Sequence, residues 1–157
     1  MIPFRHIRRT LFIASCGLIA LKAYHVSAQH EYAGNRHVYV SGRLCDPDCQ
    51  PVTFKVWDGD TFTIVATGLK EKIRVYNIDA PEIDGKCQWE IDTAQRAKNR
   101  LADLIKGQTV TLKHHGMDLY HRTLANVLVD GRDIGDVLVS ERLARAWDGA
   151  RHPWCNT

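Results

Sequence analysis

The sequence predicts an α+β fold, mainly β: a small barrel of five strands carrying two or more packed helices. Three observations lead there. Between residues 52 and 78, β-branched and aromatic residues recur in short runs, 52–56, 61–67 and 72–78, parted by Asp58-Gly59 and by Gly68. Over residues 90–106 the period changes, with Ala94, Ala97, Leu101, Leu104 and Ile105 on one helical face and Gly107 as the stop. Alternation then returns in 109–113 and 123–129, and Asp130-Gly131 turns the chain into a short helical stretch at 133–141. Three strands, a helix, two strands and a helix is the order that an OB-type barrel requires.

A chain of 157 residues, 45% hydrophobic, supplies one core and too little for two. Its first 28 residues differ from the rest. A basic stretch at Arg5, Arg8 and Arg9 precedes an apolar run from Leu11 to Leu21 and a small-residue site at Val26-Ser27-Ala28, the pattern of a secretory signal peptide. The run is shorter than the roughly 18 residues that a spanning helix needs, so the expected location is secreted or periplasmic. Membrane contact is expected only if this segment stays uncleaved. Cleavage would remove Arg5, Arg8, Arg9 and Lys22 and no acidic residue, taking 21 basic residues to 17 against 18 acidic ones and the net charge from +3 to −1. The basic balance therefore belongs to the targeting segment and argues for no nucleic-acid partner by itself.

Residues 29–51 are polar and turn-rich, with one short alternation at 37–40 ahead of the turn Cys45-Asp46-Pro47-Asp48-Cys49. They read as an extension preceding a domain of residues 52–157. Four cysteines remain after cleavage, Cys45, Cys49, Cys87 and Cys155, an even number suited to an oxidising compartment. They allow three pairings, among which sequence does not choose; Cys45 with Cys49 and Cys87 with Cys155 is the preferred set. A zinc site is the rival use of these thiols, but Cys45 and Cys49 have no second closely spaced Cys or His pair to complete four ligands.

The chemistry-bearing residues lie in three segments. Asp58-Gly59-Asp60-Thr61 puts two carboxylates beside a glycine at a strand start, a pattern that ordinary turns also show. Residues 73–82 form a strand carrying Arg74 and ending in Asp79-Ala80-Pro81-Glu82, where proline keeps the preceding residue extended. In strict alternation Arg74, Tyr76 and Ile78 share one face. Asp118-Leu119-Tyr120-His121-Arg122 brings a second arginine to the start of the last strand.

Together, in this order and with a helix between the second and third, the segments resemble the staphylococcal nuclease family over about residues 52 to 148. The resemblance implies a metal-dependent phosphodiesterase acting on DNA and/or RNA, with no protein partner predicted. It makes Asp60 and Asp79 the metal carboxylates, with the backbone carbonyl of Ala80 as a further ligand, and the metal calcium. An all-oxygen set suits a hard cation, and ligand type alone does not separate calcium from magnesium. It makes Glu82 the general base toward water, Arg74 and Arg122 the phosphate-binding guanidiniums, and Tyr120 a substrate contact. The alternative function is a nucleic-acid- or protein-binding barrel that does not cut; relatives of that kind typically lose the carboxylates or arginines, and here all five are kept. Leu119 departs from the family, standing where a basic residue is familiar, and His121 replaces a glycine. The sequence ends at Thr157, soon after the second helical stretch. Familiar members continue there into another helix, for whose packing a Cys87–Cys155 link is the expected substitute.

Overall fold

The structure is a computed structural model that describes residues 36–155, all within one compact unit. The expected signal segment, 1–28, lies outside the described residues. Strand β1 (Val38–Cys45) forms an antiparallel hairpin with β2 (Cys49–Val56), and Cys45 pairs opposite Cys49, where the two sulfurs are bonded. Strands β3 (Thr61–Ala66) and β4 (Leu69–Val75) continue the meander through a tight turn at Gly68, whose φ of +74° a side chain rarely adopts. A two-residue strand β5 (Ile78–Asp79) follows, then helix α1 (Gln88–Ile105), and then β6 (Thr109–Met117) and β7 (Thr123–Val129) as a second antiparallel pair.

β6 lies parallel to β1 and β7 parallel to β4, so the ring β4-β3-β2-β1-β6-β7 closes on itself. Closure removes the open sheet edges that a meander would otherwise leave. A short strand β8 (Arg132–Asp133) pairs with β7, and helix α2 (Ile134–Ser140) starts where the Asp133 carboxylate caps the Gly135 N–H at 2.8 Å. Strand β9 (Arg145–Ala146) pairs with β5 in a separate two-stranded ribbon.

The OB-type α+β barrel is as expected, with one strand more in the ring. That strand, β1, comes from the segment read as an extension: residues 38–51 belong to the barrel, not to a region preceding it. Gly42 weakens the strand pattern there. It is needed because a Cβ would sit 2.7 Å from the Phe54 ring and 2.9 Å from the Gln108 carbonyl oxygen.

Phe54 and Phe62 meet edge to face at 5.7 Å between ring centres inside the barrel, among Ile64, Ile73, Val110 and Val127. α1 closes one end with Ala94, Ala97, Leu101 and Ile105, all fully buried as its periodicity predicts; Leu104 is half-buried.

Candidate active site

Register brings the three chemical segments together. Thr61 on β3 lies opposite Arg74 on β4, and Arg74 lies opposite Leu124 on β7, so the turn before β3, the end of β4 and the loop before β7 share one barrel end. The expected alternation through residue 78 breaks in the structure: β4 ends at Val75, and Asn77 at φ +59° turns the chain away into β5. Consecutive residues Ile73, Arg74 and Val75 are therefore all buried, and Asp79 reaches Arg74 because of a bend rather than a shared strand face.

Asp60 is the centre of this end. Its Oδ2 accepts from the Arg74 guanidinium at 2.8 Å and from the Ala80 N–H at 2.7 Å, and its Oδ1 accepts from the Thr61 hydroxyl at 3.0 Å. Burial and then the nearby Asp58 push its pKa up to about 7, against Arg74 and the Ala80 N–H, which pull it down. Asp58 fixes the turn by accepting from the Asp60 N–H at 2.9 Å, and it faces Lys98 of α1, where it opposes the lowering of that lysine's pKa by burial. Gly59 is required by space, since a Cβ would lie 2.6 Å from Ala97 Cβ and 2.9 Å from Ala80 Cβ. The glycine thus lets α1 press Asp60 and Ala80 together.

Asp79 is buried, with Oδ1 3.9 Å from Arg74 and 3.2 Å from Arg151, while Oδ2 accepts from the Trp154 indole N–H at 3.3 Å. Glu82 stands at the solvent side, its side chain 48% exposed, paired with Arg151. The Glu82-bearing loop is held from behind by buried Glu90, whose carboxylate accepts the Lys86 N–H at 2.9 Å and the Glu82 N–H at 3.4 Å.

Across the groove, Asp118 organises the loop before β7. Its carboxylate accepts from the Tyr120 N–H at 2.8 Å, the Arg122 N–H at 2.9 Å and Arg122 Nε at 2.6 Å. Burial works to raise the Asp118 pKa, but these donors outweigh it and hold it below the usual range. Arg122 Nη1 then reaches the Thr61 hydroxyl at 3.5 Å. Tyr120 and Leu119 project outward, 79% and 95% exposed, and His121 sits at φ +57°. This left-handed backbone is one that glycine adopts more readily than a residue with a side chain.

The groove these residues line has a volume of about 800 Å³, with Arg74, Glu82, Tyr120, Arg122, Trp147 and Arg151 on its walls. Asp60, Arg74, Asp79, Ala80, Glu82, Tyr120 and Arg122, all expected from sequence, thus converge on or beside it. Sequence reasoning missed Arg151 and Trp154, which reach Asp79 across 72 and 75 residues. It missed Glu90 too, although Cys87-x-x-Glu90 has the spacing of a helix-start box.

The donor set fits a hard divalent cation. With Asp58 set against Lys98, the carboxylates Asp60, Asp79 and Glu82 face the guanidiniums of Arg74 and Arg151, so negative charge remains in excess. Among the described residues, one trio of ligand-type atoms lies within 4.8 Å, those of Cys87, Glu90 and Cys155. The two sulfurs there are bonded to each other, 2.11 Å apart, and are not available to a metal as thiolates.

An α+β barrel of OB type with a carboxylate- and guanidinium-lined groove at one end is the class that fold and site define. The chain belongs to the staphylococcal nuclease homologue family, whose model matches residues 72–155. Similar proteins include an uncharacterized endonuclease of Haemophilus influenzae, 37% identical over 99 residues, covering 62% of this chain and 52% of that one. Endonuclease YncB of Bacillus subtilis is 32% identical over 91 residues, 56% of this chain and 43% of that one. An uncharacterized endonuclease of Escherichia coli is 34% identical over 94 residues, 59% and 56% respectively. The chain spans about half the length of these relatives.

Proposed function

We propose that the protein is an exported, calcium-dependent nuclease that hydrolyses phosphodiester bonds of DNA and/or RNA. The observation that carries this reading is the convergence, on one groove, of two buried carboxylates, an exposed glutamate and two arginines from three separate segments. The endonuclease names of the relatives support it.

Asp60 and Asp79 would hold the cation, with the Ala80 carbonyl as a further oxygen ligand; magnesium has the same ligand preference. A bound divalent cation supplies neutralisation of phosphate charge and orientation of the scissile group. Glu82, the most exposed of the three carboxylates, takes a proton from the attacking water, a role worth roughly 10² to 10⁴ in rate. Arg74 and Arg122 approach from β4 and from the loop before β7, and their planar guanidiniums brace the charge that gathers on the phosphate oxygens. Tyr120 lies at the rim with Arg122 5.4 Å from its ring centre, placed for an adjacent nucleotide. Two disulfides agree with an exported protein.

The test is to incubate purified protein with single-stranded DNA, duplex DNA and RNA, adding calcium, magnesium or chelator. Cutting that needs calcium and falls by at least a hundredfold in Glu82→Gln is the expected result. Nucleic acid that is bound and left whole under every condition would instead make this a binding barrel.

A further inference from the structure

The segment after β9 crosses the groove as a strap fixed at both ends. At its start the Trp147 N–H donates to the Asn77 carbonyl at 2.8 Å. At its end Cys155 is bonded to Cys87, the residue before α1, and the Trp154 ring carries the Arg145 guanidinium 3.7 Å from its centre. Arg145 also donates to the Pro153 carbonyl at 3.1 Å. Between these anchors, Arg151 extends over the carboxylates, Nη2 on Asp79 Oδ1 at 3.2 Å and Nη1 on Glu82 Oε1.

Arg151 differs from Arg74, the other guanidinium on Asp79. Arg74 is wedged in the barrel end at 11% side-chain exposure; Arg151 is 55% exposed and can swing into solvent at little packing cost. A guanidinium stays charged at any working pH, so Arg151 leaves by swinging away and not by losing a proton. While it is seated, Arg151 offsets carboxylate charge on Asp79 and Glu82; withdrawn, it leaves both carboxylates to a cation.

We propose that Arg151, held over the site by the Cys87–Cys155 strap, is an internal counter-cation: it pairs with Asp79 and Glu82 in the metal-free protein and competes with the divalent cation. The inference rests on the cation-dependent reading above. Cation binding and Arg151 withdrawal are then one exchange, so weakening either partner strengthens the other. Repulsion between a seated guanidinium and a cation a few ångströms away, weakened because Arg151 is half in solvent, sets the expected effect at about five- to tenfold in affinity.

Calcium binding to the full-length purified protein, measured by isothermal titration calorimetry at fixed ionic strength without nucleic acid, tests this. Arg151→Gln should bind calcium about five- to tenfold more tightly than wild type. Arg151→Lys should fall between the two. Arg132→Gln, an exposed arginine on β8, controls for net charge and should match wild type within twofold. Cys155→Ser, which frees the strap, should shift affinity in the same direction as Arg151→Gln. Wild-type binding with equal or weaker affinity in Arg151→Gln overturns the competitor and leaves the cation reading standing. No calcium binding in any variant, with cutting that ignores chelator, overturns both. A fold check by circular dichroism accompanies each variant, and a misfolded glutamine variant leaves lysine against wild type to decide.

Discussion

The groove has two sides of different construction. On the barrel side, Asp60, Arg74 and Asp79 are buried and locked to strands or backbone, Asp60 by three donors. On the rim, Glu82, Leu119, Tyr120 and Arg151 are exposed and sit on loops. Such a division lets the buried side hold charge that water would otherwise screen, while the exposed side is open to a ligand. Arg74 and Arg122, alike in residue type and proposed role, belong to the two sides to different degrees: one is buried between carboxylates, the other half-exposed on Asp118.

The sharpest way to break this comparison is to remove each arginine. Arg74→Ala takes the guanidinium from buried Asp60 and should cost about 3–5 kcal/mol of stability, read by urea unfolding, besides abolishing cutting. Arg122→Ala should also lose cutting by a hundredfold or more, yet cost about 1 kcal/mol. Equal stability losses would mean that the two sides are not built differently.

A pH series on metal-free protein sharpens the barrel side. The Asp60 pKa lies at about 7 folded against 3.8 for the ordinary group, so between those values the folded state holds a proton that the unfolded state has released. Its contribution to stability is therefore present below about pH 4 and declines as pH rises toward 7. Melting temperature in chelator should fall over that interval, and Asp60→Asn should flatten the fall. A profile that the substitution leaves unchanged would remove Asp60 as its source.

Smaller effects are expected at the rim. Tyr120→Ala, with a ring 79% exposed, should raise KM several-fold while moving stability by no more than about 0.5 kcal/mol. A large stability loss would make it a packing residue. His121→Gly relieves a side chain at φ +57° and should stabilise the protein by about 0.5–1 kcal/mol, after the extra unfolded-state entropy of glycine. Destabilisation there would show that the imidazole contributes a contact worth more than the strain.

Much of the molecule was legible in its residues. Local periodicity marks the strands and α1 because burial on one face leaves a repeat of two or of 3.6, and Ala94, Ala97, Leu101 and Ile105 are buried as that repeat requires. Motif order marked the groove residues, which lie at or beside strand ends brought to one end of the barrel. β1 escaped because a glycine demanded by close backbone approach looks, in sequence, like a turn signal. The phase of residues 72–78 escaped because one left-handed residue, Asn77, resets alternation without a glycine to announce it.

The sequence by itself determined the kinds of chemical group available, carboxylates, guanidiniums and an even set of cysteines, and the local periods that fold them into a barrel with helices. Tertiary structure alone decided which of these groups meet. Arg151 and Trp154 reach Asp79 across more than seventy residues only because a strap pinned by Cys87 and Cys155 returns over the barrel end. Spacing along a chain encodes neighbours a few residues away, whereas a contact closed over so long a loop depends on the whole packed geometry that brings its ends together.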